Sequence, residues 1–153
     1  MGDQTIKTIC VSTALLGLVV VILYLIIGRP RGPVIKTMKI GQASVAVEIA
    51  DTLPAMQRGL SGRPSLAPDS GMLFIYNDKD IRHFWMPNMH FALDVLWIAD
   101  GVVIGLQENI PYQSTNGSIS RFQSNAPVDM VLEVNAGWIA RQGIKIGDVV
   151  VQN

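Results

Sequence analysis

LDVLWIADGVVIGLQEN, residues 93–109, holds two apolar runs on either side of Asp100-Gly101. That dipeptide suits a two-residue type I′ turn, whose central residues both take positive φ, so the segment reads as a β-hairpin. With Ala99 facing Val102, counting back sets Asp94 opposite Gln107, and Glu108 opposite Leu93 on the other face. In that register Asp94 and Glu108 are not a facing carboxylate pair of the glycosidase kind.

Outward from the hairpin, short strands and turn signals dominate. QASVAVEIA (42–50) alternates apolar and polar positions, as a half-buried strand does. GMLFIY (71–76) and HFWM (83–86) are compact apolar strands, and DMVLEVNAG (129–137) alternates again. DTLPAMQRGLSGR (51–63) predicts a short helix. Thr52 or Asp51 caps it, Pro54 fits its first turn, and Gly59 ends it in the left-handed conformation. GWIARQGIKIGDVVVQ (137–152) predicts one helical turn closed by Gly143, a Gly147-Asp148 turn and a last strand. PYQSTNGSISRFQSNAP (111–127) is polar and reads as a long loop without regular structure. The expected fold is mainly β with one or two short helices, a compact, partly closed barrel or sandwich.

Residues 10–27, CVSTALLGLVVVILYLII, carry no charge over eighteen positions. A membrane span needs about 20 residues, longer than the h-region of a secretory signal, and no small-x-small cleavage signal follows. The expectation is an uncleaved single transmembrane helix at 10–27 behind a short tail (1–9). A Pro- and Arg-containing linker (28–37) then leads to a β-rich domain (38–153). Cys10, the single cysteine, lies inside the apolar run, which excludes an intramolecular disulfide framework and a Cys-based zinc site.

The formal net charge of zero divides unevenly. Up to Lys39 there are five Lys/Arg and one Asp; from Ile40 onward there are seven Lys/Arg against eleven Asp/Glu, a net −4. A domain of that sign lacks the electrostatic footprint for phosphate backbones, so nucleic acid is not an expected partner. The basic collar suits anionic lipid head groups. The positive-inside count alone leans towards a cytoplasmic domain by a narrow margin.

Arg58-Gly59-Leu60-x-Gly62-Arg63, Gly71-Met72-Leu73-Phe74, Phe84-Trp85-Met86-x-Asn88, Leu93-Asp94, Leu132-Glu133 with Ala136-Gly137, and Gly143-Ile144-Lys145-x-Gly147-Asp148 occur in that order. Over residues 38–152 the chain thereby resembles the domain of unknown function 192 family. The resemblance implies a small β-rich domain, often behind a signal or anchor segment, which favours an extracytoplasmic placement over the charge count. It implies no reaction, and no catalytic residues carry over. This chain departs from the family pattern at His83, Met89 and His90, and has Ala92 where a proline usually precedes Leu-Asp.

The candidate chemistry falls into three groups. His83, Trp85, Met86, Met89 and His90 supply the imidazole, thioether and ring faces that a Cu(I) site uses. The competing assignment is Met as apolar filler and His at the surface. Asp94, Glu108 and Glu133 sit among apolar residues, where burial equips a carboxyl for acid–base work. Asp94 is expected to partner Arg58 or Arg63, either as a fork fixing the helical flap or to orient a guanidinium on an anionic ligand. Glu133 is expected at a solvent-facing strand position or against an arginine. Trp85 and Asn88 suit sugar or peptide recognition, or are core and turn respectively.

No Gly-x-Ser-x-Gly, phosphate-cradling glycine loop or Ser/His/Asp signature is present. The function expected is therefore a membrane-anchored, extracytoplasmic binding or accessory module, with no resident cofactor or metal. Its ligand is a small molecule or envelope component held by Arg58, Arg63, Trp85, Asn88 and Asp94. An envelope hydrolase using Asp94 with Arg58/Arg63, and copper binding through Met86, Met89 and His90, stand as alternatives.

Overall fold

A computed structural model describes residues 18–19, 34–113 and 117–152. The expected span at 10–27 lies outside the described residues except for Leu18 and Val19. Among the described residues no helix is long and apolar enough to cross a membrane.

The globular unit contains β1 (Ile35–Ile40), β2 (Ala43–Ala50), α1 (Leu53–Arg58), β3 (Ser70–Asp80), β4 (His83–Trp85) and β5 (Leu93–Ala99). Then come β6 (Val102–Ile110), β7 (Arg121–Gln123), β8 (Val128–Asn135), α2 (Trp138–Gln142) and β9 (Val150–Gln152). Seven strands form one sheet in the order β6-β5-β8-β3-β2-β1-β9, and β4 pairs with β7 separately. Every pairing is antiparallel except β2 with β3. Parallel neighbours need a crossover, and α1 lies in it.

The sheet curls back on itself at one end. Val102 bridges Val149. Gly147 and Val150 donate N–H bonds to the carbonyls of Val103 and Gly101 at 2.8 Å, and Val103 donates to Asp148 at 3.0 Å. The result is a half-barrel, mainly β with two short helices, in agreement with the sequence. Strand alternation sends two apolar sets to opposite faces. Met38, Val45, Leu73, Leu96, Ile98, Leu132 and Val134 fill the concave side, which α2 plugs with Trp138 and Ile139. Met72, Phe74, Val95, Trp97 and Val131 line the other face, beneath the α1 crossover and the β4–β7 ribbon.

The Asp100-Gly101 turn forms with φ of 52° and 72° and closes on Ala99–Val102 as expected. The register beyond it differs. Irregularities between Trp97 and Ile98 and between Leu93 and Val95 set Gln107 opposite Val95 and Ile110 opposite Leu93. An added residue shifts the pairing and bends the strand. Residues 111–127 are also not devoid of structure: β7 forms there because Phe122 is buried against the outer face.

Thr52 caps α1 by accepting the Ala55 N–H at 3.4 Å. Gly59 ends the helix with φ 49° and ψ −137°, which lies outside the left-handed helical basin expected for it and in a region that favours glycine.

Candidate functional site

Two stretches build the walls of a cleft on the outer face. α1 and the loop after it form one wall, and β4 with the Pro87-Asn88 turn forms the other. Asn88 takes φ 53°, a conformation that asparagine tolerates. Its carbonyl accepts the Gly62 N–H at 2.9 Å, and the Ser61 hydroxyl donates to the Pro87 carbonyl at 2.9 Å. These two bonds tie the walls together. The cleft between them has a volume of about 280 Å³.

Aromatic and sulfur-bearing side chains line it: Phe74, Tyr76, Phe84, Trp85, Met86 and Met89. Phe84 stands edge-on to Phe74 with ring centroids 5.0 Å apart and stacks on Phe122 at 5.7 Å. Trp85 is 55% exposed, so it is a rim residue rather than core. Basic side chains stand at the mouth. Arg58 and His83 line it. The Arg82 guanidinium lies 3.8 Å from the Tyr76 ring centre, and that of Arg121 lies 5.4 Å from Trp85.

Glu133 reaches the floor of the cleft from β8, beside Met72 and Val95 on the neighbouring strands. It is 6% exposed. Among the described residues nothing donates a hydrogen bond to it and no cation pairs with it. Burial pushes its pKa up to about 8, so the carboxyl holds its proton at neutral pH. Burial likewise raises the Tyr76 phenol, against the pull of Arg82. The expectation of a solvent-facing or arginine-paired Glu133 is therefore corrected. β8 lies in the interior of the sheet, and both of its faces are covered. The available signal was a charged residue between Val131, Leu132 and Val134 in a strand apolar on both sides.

Asp94 lies elsewhere. It alternates with Val95, so it points to the concave side, fully buried. One carboxylate oxygen accepts the Asn109 N–H at 2.8 Å, and the other accepts the Ile139 N–H at 2.9 Å. The second bond caps α2, whose Gly137 N-cap has no side chain to do so. Asp94 thus partners neither Arg58 nor Arg63, and it is outside the cleft.

The arginine fork that was expected does form, on a different acid. Arg63 holds Glu48 bidentately, at 2.5 and 2.7 Å, and fixes the crossover to β2. The fork lowers the Glu48 pKa and raises that of Arg63. Arg58 is exposed at the cleft rim and makes no ion pair among the described residues. Arg58 and Trp85 therefore line the cleft, while Arg63 and Asn88 position its wall.

Met86 and Met89 are buried in the cleft, but His90 is exposed and does not line it. The copper set proposed from sequence is thus divided. A shallower groove of about 610 Å³ runs along Gln107–Pro111 and Ser118–Arg121, with no buried acid in its lining.

No curated protein matches the chain. The crystal structure of a protein from Sinorhizobium meliloti 1021, provisionally described as a transcription regulator, is similar at 31% identity with a TM-score of 0.72. The match covers 80% of this chain and 97% of that one. A protein of unknown function from Novosphingobium aromaticivorans DSM 12444 is similar at 28% identity and TM-score 0.68, over 79% of this chain and 93% of that one. The family model for domain of unknown function 192, described as an uncharacterized ACR, matches residues 35–152. This chain, by its sequence blocks and its half-barrel, belongs to the domain of unknown function 192 family.

Proposed function

We propose that the chain is a membrane-tethered, extracytoplasmic binding module whose small ligand enters the cleft between α1 and β4. One observation carries this reading: Glu133 is buried without a partner at the floor of a cleft rimmed by an exposed tryptophan. A buried polar group without a partner costs free energy, and a ligand that supplies the partner recovers that cost. Aromatic walls with few polar groups are the usual lining of small-molecule sites. The tether follows from the uncharged run at 10–27 and the basic residues after it.

A role in transcription, as described for the Sinorhizobium relative, finds no support in charge, since residues 40–153 carry a net −4. An acid–base enzyme is the second reading, favoured by the same group: a carboxyl protonated at neutral pH is a ready proton donor. In that case Glu133 replaces Asp94 as the acid.

The test is a ligand screen by thermal shift on the full chain in mild detergent, using cell-wall fragments and small aromatic compounds. A ligand of the cleft raises Tm in proportion to the logarithm of its free concentration, and Trp85→Ala removes the shift. Ligands that shift Trp85→Ala as strongly as the parent protein place binding elsewhere and defeat the proposal. Turnover of a bound compound, lost in Glu133→Gln, favours the enzyme.

A further inference from the structure

The chemistry of the ligand's buried end can be read from the floor and the rim together. Glu133 is central in the sheet, and no cation, hydroxyl or backbone N–H of the described residues reaches its carboxyl. An isolated carboxylate in such a place is strongly disfavoured, and the group responds by keeping its proton. A protonated carboxyl offers one O–H donor.

The surrounding titratable and charged groups come from four elements and the turn between β3 and β4. Arg58 stands on α1, Tyr76 on β3, and His83 on β4, while Arg82, over the Tyr76 ring, is ion-paired at 2.8 Å with Asp78 of β3. Arg121 on β7 stands by Trp85 at the entrance. Glu133 is the only acid lining the cleft among the described residues. A cationic ligand would therefore pass the Arg58 and Arg121 guanidinium groups to meet an uncharged acid, which gives it nothing in return.

We propose that Glu133 acts as an uncharged hydrogen-bond donor, and that the cleft takes a flat apolar ligand carrying a carbonyl-type acceptor, an amide, ketone or ester, in preference to an amine. The ring system lies between Phe74, Phe84 and Trp85, with the acceptor against Glu133. This rests on the cleft being the ligand site. Of the polar residues in the lining, Glu133 is the one that is buried; Ser61 and Tyr76 are half-buried, and Gln57, Arg58 and His83 are exposed. Glu133 is thus the deepest polar group available to orient the ligand.

A matched pair of probes tests it: 2-naphthamide, with the acceptor, and 2-naphthylmethylamine, with a cation on the same ring system. Both are titrated into the full chain in mild detergent, with the indole N–H signals of Trp85 and Trp97 followed by NMR at pH 6.5 and 9.5. The expected result is saturable binding of the amide, tighter than the amine by at least tenfold at pH 6.5. Its affinity falls at least tenfold at pH 9.5, where Glu133 ionises. Glu133→Gln, whose amide also donates, keeps the binding at both pH values, whereas Glu133→Leu loses it at both while its untouched Trp97 signal reports the fold.

Preference for the amine, or affinity rising with pH, overturns the donor role and leaves the cleft as a ligand site. Saturation of neither probe, or equal binding by Glu133→Leu, overturns the cleft assignment and the donor role with it.

Discussion

Asp94 is fully buried and accepts two backbone N–H bonds, whereas Glu133 is nearly as buried and accepts none. The consequences for stability are opposite. Removing the Asp94 side chain strands a buried donor at Ile139 and a part-buried one at Asn109, at about 1–3 kcal/mol for a buried donor, so Asp94→Ala is expected to lose about 3 kcal/mol in urea unfolding. Hydrogen exchange at the Ile139 amide should speed up with it.

Burial raises the Glu133 pKa in the folded chain to about 8, from an ordinary carboxyl value of 4.5. Between those values the unfolded chain has released a proton that the folded chain retains, so stability declines as pH rises from about 4.5 to 8. Glu133→Gln, which cannot ionise, should match the parent at pH 4.5 and exceed it at pH 8 by a few kcal/mol. Urea midpoints at the two pH values check this, and equal differences at both would refute a buried, proton-retaining acid. Asp94 and Glu133 were visible in the sequence as acids among apolar residues. Their faces were not, because charge complementarity along a chain does not say which side of a sheet an arginine occupies.

The crossover carrying α1 is held by the Arg63–Glu48 fork and by the two bonds from Ser61 and Gly62 to the Pro87-Asn88 turn. Arg63 is about a third exposed, so Arg63→Ala should cost no more than about 1 kcal/mol of global stability. Its local effect is larger in kind: limited proteolysis should cut within 51–69 sooner, and the cleft should weaken for any ligand it holds. β3 and β8 approach closely at Gly71, where a Cβ would stand 2.7 Å from the Glu133 carbonyl oxygen. Gly71→Ala therefore forces the strands apart and should destabilise by about 1–3 kcal/mol, measurable as a lower urea midpoint.

Periodicity made β2, the hairpin turn, both helices and the strand at 128–135 legible. It missed what depends on distant packing. The irregularities in β5–β6 have no marker in an apolar run, since either register buries Val, Leu and Ile equally well. β7 has one buried side chain, Phe122, in a polar stretch, and becomes a strand only because the outer face offers that ring a seat.

Across the whole molecule, the half-barrel has two covered faces with different tasks. The concave side is sealed by α2 and by the joining of β6 to the segment before β9, and Asp94, its one buried acid among the described residues, is spent on backbone groups. The outer face is covered by a crossover and a two-stranded ribbon, which leave a cleft between them and an acid unmatched. The first arrangement satisfies its buried acid, and the second leaves one open to the cleft. Neither explains the eighteen uncharged residues at 10–27, for which the half-barrel offers no need.

A segment of that length and composition is favoured in a bilayer core. The full chain should therefore sediment with membranes and resist alkaline carbonate, while the chain beginning at residue 33 should stay in the supernatant with its strand content intact by circular dichroism. Protease added to spheroplasts should digest the globular unit if it stands outside the cytoplasmic membrane. Digestion only after lysis would place it inside and reverse the topology, and release of the full chain by carbonate would remove the tether altogether.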